Sequence, residues 1–214
     1  MGQMLIQGIL DTLYMTVGAT AIAYLFGLPI GVSLVVTAPD GISPHHTYNK
    51  VMGFIVNIVR SVPFLILMIA LMPYVRIIIG TGIGTSATVA VLVASAVPFV
   101  ARLVESELRE VDKGVIEAAQ SMGASNMQIV IKVMLLEARP SLLIGTAVST
   151  ITILGYSAMA GVVGGGGLGD IAIKYGLYRY DSKTMWITVV ILILLVQLLQ
   201  SIGNYISKKL DNRI

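Results

Sequence analysis

The stretch Glu117-Ala118-Ala119-Gln120-Ser121-Met122-Gly123 lies in a charged loop between two strongly hydrophobic segments. It predicts a short polar helix that ends at Gly123, since glycine takes the left-handed conformation that closes a helix without strain. A chain that concentrates its charge in one loop between apolar segments is typical of a membrane protein that contacts a soluble partner. The identity of that partner is therefore the question that leads to function.

Composition supports a membrane protein. Of the 214 residues, 56% are hydrophobic and only 12% are charged, against roughly 25% charged in ordinary soluble domains. Apolar runs recur in place of strand-like alternation, so the expected fold class is all-α and polytopic, with residues 1–214 forming one transmembrane domain. The net charge of +3 is scattered along the chain and predicts no nucleic-acid partner, and the absence of cysteine excludes thiolate chemistry.

Five segments are long and apolar enough to cross a bilayer, which takes about twenty residues. The third is short, and its helix is expected to continue past Arg102 out of the membrane. The predicted spans are about 13–38, 51–75, 85–101, 141–162 and 185–206.

The distribution of Lys and Arg predicts the orientation of these spans, because cytoplasmic loops carry an excess of both. One side holds nine: Lys50, Arg102, Arg109, Lys113, Lys132, Arg139, Lys208, Lys209 and Arg213. The other side holds four: Arg76, Lys174, Arg179 and Lys183. We therefore expect loop 102–140 and the C-terminus in the cytoplasm and the N-terminus outside.

The 102–140 loop is predicted to form two short helices joined by a fixed bend. Asp112 can cap the first helix, and Gly123 ends it. Ser125 and Gln128 fit a capping box that starts the second helix, which is expected to run to Pro140. Such a pair forms a compact unit that could fit a groove on a partner as a rigid body.

The same loop carries a family resemblance. Residues 117–119 read Glu-Ala-Ala, and Gly123 follows after three residues, as in the signature loop of permease subunits of bacterial ABC importers. That signature continues, nine residues later, with Ile-x-Leu-Pro. Here Val133 replaces the Ile, Leu135 keeps the Leu, and Leu136 stands in place of the Pro, which changes the expected length of the second helix.

Further segments resemble the methionine-uptake branch of this family. The match covers about residues 50–206 and is carried by four segments, of which the last is the most specific to this branch. These segments are Ile58–Phe64, Val97–Arg102, Ser121–Ala124 and Gly155–Met159.

The resemblance implies a type I ABC importer permease in a bacterial inner membrane. Two copies would pair as a homodimer around a central path, with two ABC ATPase subunits below and an extracytoplasmic methionine-binding lipoprotein above. ATP would bind to the ATPase subunits, so this chain would need no cofactor or metal and would hold no catalytic residue. Glu117, Ala118, Ala119 and Gly123 would dock on the ATPase, the two alanines by allowing close backbone approach.

Candidates for the translocation path lie in the fourth and second spans. Tyr156, Ser157 and Met159 are placed near the outer end as a gate, and Thr150 belongs to a hydroxyl stripe that can line a path or bond a neighbouring helix. A flexible thioether and an aromatic ring could close a narrow pore and repack around methionine. Arg60 lies about ten residues into the second span and should face protein or water, where it could contact the substrate or reach the headgroups.

Other readings of single motifs are weaker. The Gly-rich segment 162–184 contains G-x-G-x-x-G, but no strand–helix unit surrounds it, so a loop that bends back into the outer mouth is expected instead. Gly155–Ala158 matches the G-x-S-x of intramembrane serine proteases, yet the two histidines, His45 and His46, lie near the opposite face and lack metal-ligand partners. No P-loop occurs.

Two other transporter classes are left open by the loop alone. An importer of another amino acid or small solute would share the docking loop and differ around span four. A proton- or sodium-driven carrier would place ionisable residues inside the spans. Because only Arg60 is such a residue here, the sequence favours the ATP-driven class.

Overall fold

The computed structural model describes residues 1–210 and is helical throughout, with no strand in that range. Arg213, counted above for the orientation, lies outside the described residues. The α-helices are α1 (Gly2–Val36), α2 (His46–Ser61), α3 (Phe64–Ile79), α4 (Thr85–Arg109), α5 (Lys113–Ser121), α6 (Asn126–Ile129), α7 (Leu135–Glu137), α8 (Arg139–Ala160), α9 (Gly167–Ile171) and α10 (Ser182–Leu210). Tighter or wider turns connect some of them: Val130–Met134 and Ala172–Leu177 are π-helical, and Gly161–Val163 is 3₁₀.

Four helical segments are long and apolar enough to cross a membrane within the described chain: α1, α4, α10, and the segment Arg139–Leu177 that begins with α8. A fifth span exists if α2 and α3 are taken together, although they meet at 104°. The all-α, polytopic prediction is confirmed. α1 begins well before residue 13, and α4 continues past Arg102 as the sequence predicts.

The predicted second span, 51–75, is interrupted at Pro63. Proline has no N–H to donate and disfavours helical geometry at the residue before it. Val62 accordingly has an extended backbone (φ −84°, ψ 125°), and α3 starts directly after Pro63. The hydrophobicity of residues 51–75 does not reveal this break, because the segments on both sides of Pro63 are apolar.

α4 lies at the centre of the bundle, with Leu92, Ala96, Val100 and Val104 fully buried. Its main neighbour is α1, and two glycines of α1 permit the approach. A Cβ on Gly27 would lie 2.8 Å from Val100 Cγ1, and a Cβ on Gly31 would lie 2.6 Å from the Ala101 carbonyl oxygen. Small residues four apart let membrane helices pack backbone to backbone.

The Gly-rich segment folds back against the bundle and ends in α9. The backbone N–H of Leu168 donates to Thr12 Oγ1 of α1 (2.9 Å), and Thr88 Oγ1 of α4 donates to the Gly165 carbonyl (3.2 Å). Gly161 and Gly169 lie where two backbone segments touch. A methyl group on Gly161 would collide with the backbone of Gly169, and one on Gly169 would collide with the backbone of Ala158. The glycines therefore serve close packing, in agreement with the rejection of a dinucleotide site.

Candidate functional site

The loop between α4 and α8 forms a hairpin of two capped helices, residues 113–129, hereafter the 113–129 hairpin. Asp112 Oδ1 accepts from the Gly114 N–H (2.6 Å) at the start of α5. Ser125 and Gln128 form the capping box of α6: the Ser125 N–H donates to Gln128 Oε1 (2.9 Å), and the Gln128 N–H donates to Ser125 Oγ (3.4 Å). The predicted caps are thus confirmed.

Gly123 supplies the bend between the two helices. Its φ is +80°, the left-handed region that disfavours a side chain, and its N–H donates to the Gln120 carbonyl (2.9 Å). The Ala124 N–H donates to the Ala119 carbonyl (3.1 Å), so the last turn of α5 is closed by backbone bonds. The bend is fixed by local geometry, and the hairpin can act as one body.

The four predicted docking residues do not share one face. Glu117, Ala118 and Gly123 are exposed, whereas Ala119 is buried in the core of this chain. Ala119 therefore faces the interior of this chain, whereas Ala118 is open to a partner. An i, i+1 pair on a helix points in different directions, so this division follows from helix geometry.

The hairpin also exposes two methionines that sequence reasoning did not single out. Met122, just before the bend, is 82% exposed, and Met127, just after it, is 68% exposed. Flexible thioether side chains are common at adaptable binding surfaces. The sequence feature that could have identified these methionines is their position on either side of Gly123, among mainly polar and small residues.

A cleft of about 200 Å³ separates α5 from the segment that follows α1. Glu117 and Gln120 line one side, and Val35, Asp40 and Ile42 line the other. At its rim, the Lys113 ammonium donates to Asp40 Oδ2 (2.9 Å) and lowers the pKa of that carboxyl. α5 is therefore not packed tightly on this side.

The candidate gate residues of α8 occupy different environments. The Tyr156 ring stacks on Phe64, the first residue of α3, with centroids 4.5 Å apart and planes at 7°. Met159 is half exposed near the end of α8. Tyr156 thus joins α8 to the break in the second span, while Met159 faces outward from the chain.

Ser157 and Thr150 have different surroundings: Ser157 is buried, and Thr150 lines a cleft. Ser157 is 1% exposed, and its hydroxyl donates to the Leu154 carbonyl of its own helix (2.7 Å), so it does not face a path through this chain. Thr150 Oγ1 donates to the Thr146 carbonyl (2.7 Å) and lines a cleft of about 180 Å³ between α8 and α10. A hydroxyl in a helix can satisfy itself on the preceding turn, and the gate role of Ser157 stays a prediction.

Neither the protease nor a metal site finds support in the described chain. His45 Nδ1 accepts from the Tyr48 N–H at the start of α2, and the buried Ser157 hydroxyl donates to the Leu154 carbonyl, so the two side chains have different partners. Residues 1–210 contain no group of three His, Cys, Asp or Glu side chains placed to hold a metal ion.

Arg60 lies in the last turn of α2, directly before the break at Pro63. Its side chain is exposed, and within residues 1–210 it makes no hydrogen bond or ion pair. An arginine inside an apolar span must reach water, a headgroup or a partner. The break places it where residues 1–210 offer no counter-charge.

An all-helical membrane domain with an exposed, capped hairpin between its third and fourth spans has the fold of a type I ABC importer permease. The family described as "Binding-protein-dependent transport system inner membrane component" matches residues 27–212, and the chain belongs to it. It is thus an inner-membrane transport permease and not an enzyme.

Individual relatives are similar over nearly the whole chain. A probable D-methionine transport system permease protein of Vibrio cholerae is 51% identical over 203 residues, covering 95% of this chain and 90% of the relative. The methionine import system permease protein of Bacillus subtilis is 41% identical, covering 84% of this chain and 81% of the relative. Among solved structures, a chain of the inward-facing MetNI methionine ABC transporter superposes with a TM-score of 0.97 at 42% identity, covering 99% of this chain and 98% of that chain.

Proposed function

We propose that this chain is the transmembrane subunit of an ATP-driven importer for methionine, in the L or D form or both. The observation that carries the proposal is the near-complete overlap with a chain of the MetNI methionine ABC transporter, at 42% identity and a TM-score of 0.97. The relatives named as methionine permeases point to the same substrate. Methionine passes from an extracytoplasmic binding lipoprotein through this chain to the cytoplasm.

The working assembly is a homodimer of this chain with two ABC ATPase subunits, which bind and hydrolyse the ATP. In this proposal the 113–129 hairpin and the C-terminus lie in the cytoplasm and the N-terminus lies outside. The distribution of Lys and Arg supports this orientation, with nine on the cytoplasmic side and four on the outer side. Residues 1–214 act as one domain, and the catalytic chemistry belongs to the partner.

The 113–129 hairpin is the element that the ATPase moves. Glu117, Ala118 and the bend at Gly123 form the docking surface, with Met122 and Met127 as its apolar contacts. Ala119 is buried and stabilises the hairpin from inside. Because α5 follows α4 after only residues 110–112, displacement of the hairpin also moves α4, the central helix of the bundle.

The path for methionine runs along the break in the second span. Arg60, which has no ion-pair partner within residues 1–210, faces it as a cation, and Tyr156, stacked on Phe64, ties the movement of α8 to the start of α3. Met159 closes the outer end, and Thr150 lines the cleft toward α10. Ser157 contributes only through the geometry of α8.

The docking surface is tested by Glu117→Lys, with Glu110→Lys as a matched control on an exposed carboxylate outside α5. We expect Glu117→Lys to insert normally but to lose both ATPase co-purification and uptake, since it reverses the charge that faces the partner. The control should retain both. Normal uptake with the ATPase still bound would contradict the assignment.

The substrate is tested by radiolabelled methionine uptake in cells that lack their own methionine importers and express this chain with its ATPase and binding protein. Excess unlabelled amino acids serve as competitors. ATP-dependent uptake that only methionine competes is the expected result. Uptake of another solute would keep the permease and move the chain to the alternative importer class.

A further inference from the structure

A continuous line of charged contacts joins the start of α5 to α2. The Lys113 ammonium bonds Asp40, which follows α1, and Arg109 lies 3.8 Å from the same carboxylate. Arg109 Nη2 also bonds Glu105 Oε1 (3.1 Å) within α4. On the other oxygen of Glu105, Arg102 Nη1 lies at 2.6 Å. Arg102 Nη2 then donates to the Gly53 carbonyl of α2 (3.1 Å).

Glu105 is the central and most buried member of this line. Its side chain is 8% exposed, whereas those of Arg102, Arg109, Asp40 and Lys113 are 30%, 44%, 55% and 72% exposed. Each of its oxygens accepts from a different arginine, so the carboxylate fixes both guanidinium groups. Removing its charge would leave two cations without their buried partner, which is costly where the exposed pairs are not.

Apolar packing at the start of α5 is limited to Ile116, which is half-buried against the core. Ala119 is the one buried residue of that helix, and the cleft of about 200 Å³ lies between α5 and the segment after α1. The position of Lys113 relative to α4 therefore depends on Asp40 and Arg109, and the direction of Arg109 depends on Glu105.

We propose that Glu105 is a positioning residue for coupling: through Arg109 and Asp40 it holds the 113–129 hairpin, and through Arg102 it holds α2. Movement of the hairpin then reaches α2 and its break at Pro63 as well as α4. The proposal rests on the docking role of the hairpin given above. The hairpin and α2 are both linked to Glu105 through arginine side chains. A contiguous series of contacts therefore connects the docking surface with the bent span.

Glu105→Gln keeps the shape of the side chain and removes its charge. We expect the variant to insert and to co-purify with the ATPase, while methionine taken up per ATP hydrolysed falls roughly fivefold or more, the lower end of ordinary coupling between sites. Glu105→Asp should recover part of the loss. Glu110→Gln, an exposed carboxylate at the end of the same helix, should change nothing.

A second test uses the exposed end of the line and so avoids a folding failure. Asp40→Asn and Lys113→Gln should each lower uptake per ATP, and the double variant should lose no more than the larger single effect, because both remove the same contact. Additive losses, or Glu105→Gln with unchanged uptake per ATP, would overturn the proposal.

Failure of the docking assignment gives a different pattern. If Glu117→Lys keeps the ATPase bound and active in transport, then the hairpin is not the docking element, whatever Glu105 does. If Glu117→Lys releases the ATPase and Glu105→Gln releases it equally, then Glu105 acts on docking and not on coupling, and the inference is wrong.

Discussion

At the scale of single residues, Gly123 separates the two helices of the 113–129 hairpin. Its φ of +80° lies in the left-handed region, and no atom lies within 4 Å of the place that a Cβ would occupy. A side chain there meets no steric obstacle, so the whole effect of a substitution is backbone strain. The angle between α5 and α6 is thereby set by one residue.

Gly123→Ala should cost roughly 1–2 kcal/mol in the stability of the hairpin, the strain of a left-handed non-glycine residue. We expect weaker ATPase association, measured by co-purification and by methionine-stimulated ATP hydrolysis in liposomes. Gly155→Ala is the control, since it has equal free space in α8 and an ordinary helical φ. Equal behaviour of the two variants would show that the bend is not needed.

Met159 is the most exposed of the three proposed gate residues, at 51%. Met159→Ala should lower methionine uptake per ATP hydrolysed, because the shortened side chain no longer closes the outer end. Val162→Ala, equally exposed one turn further along, should leave the ratio unchanged. An unaltered ratio for Met159→Ala would remove it from the path.

At the scale of elements, the crossing of α1 and α4 organises the bundle. Both glycines at the crossing face backbone or β-branched side chains of α4, so the two helix axes lie closer than side chains would allow. α4 in turn carries the 113–129 hairpin at its end. The stability of this crossing therefore determines how faithfully a push on the hairpin is transmitted.

Gly31→Ala places a methyl 2.6 Å from the Ala101 carbonyl oxygen, which cannot rotate away. We expect a loss of about 1–3 kcal/mol, as for other overpacked sites, seen as a lower unfolding temperature in detergent. Gly18→Ala on the same helix meets no atom within 4 Å and should be neutral or slightly stabilising. A Gly31→Ala protein as stable as Gly18→Ala would mean that the helices do not cross there.

Elements whose signals are local could be predicted from the sequence. The caps at Asp112 and Ser125 and the bend at Gly123 depend on residues within three positions, and the structure has all of them. The burial of Ala119 and Ser157 could not be predicted, because it depends on which face meets the neighbouring helices. The 104° angle between α2 and α3 also needs their packing against α4 and α8, since a proline such as Pro98 lies inside a continuous helix elsewhere.

At the scale of the whole molecule, much of the outer surface is apolar. Large exposed side chains occur on α1, α3 and α10, among them Phe26, Ile77 and Leu194. Such a surface fits lipid on some faces and a second copy on another, as expected for half of a transporter. Most Lys and Arg side chains lie in loops or near helix ends, and their uneven distribution predicts an orientation in the membrane that can be tested directly.

The chain contains no cysteine, so single-cysteine labelling needs no background removal. In spheroplasts, a membrane-impermeant maleimide should label Thr81→Cys and Ser182→Cys, both at exposed positions in predicted outer loops. Ser125→Cys, in the 113–129 hairpin, should react only after lysis. The reverse pattern would place the N-terminus in the cytoplasm and invert the proposed topology.

The break at Pro63 also has a consequence for biogenesis. α2 and α3 contain 16 residues each, so either helix alone extends about 24 Å against a hydrocarbon core of roughly 30 Å. Neither half is a complete signal for lateral release from the insertion machinery. The pair must enter the bilayer as one unit, and its bent form is completed only when α4 and α8, made later, supply the surfaces on which it rests.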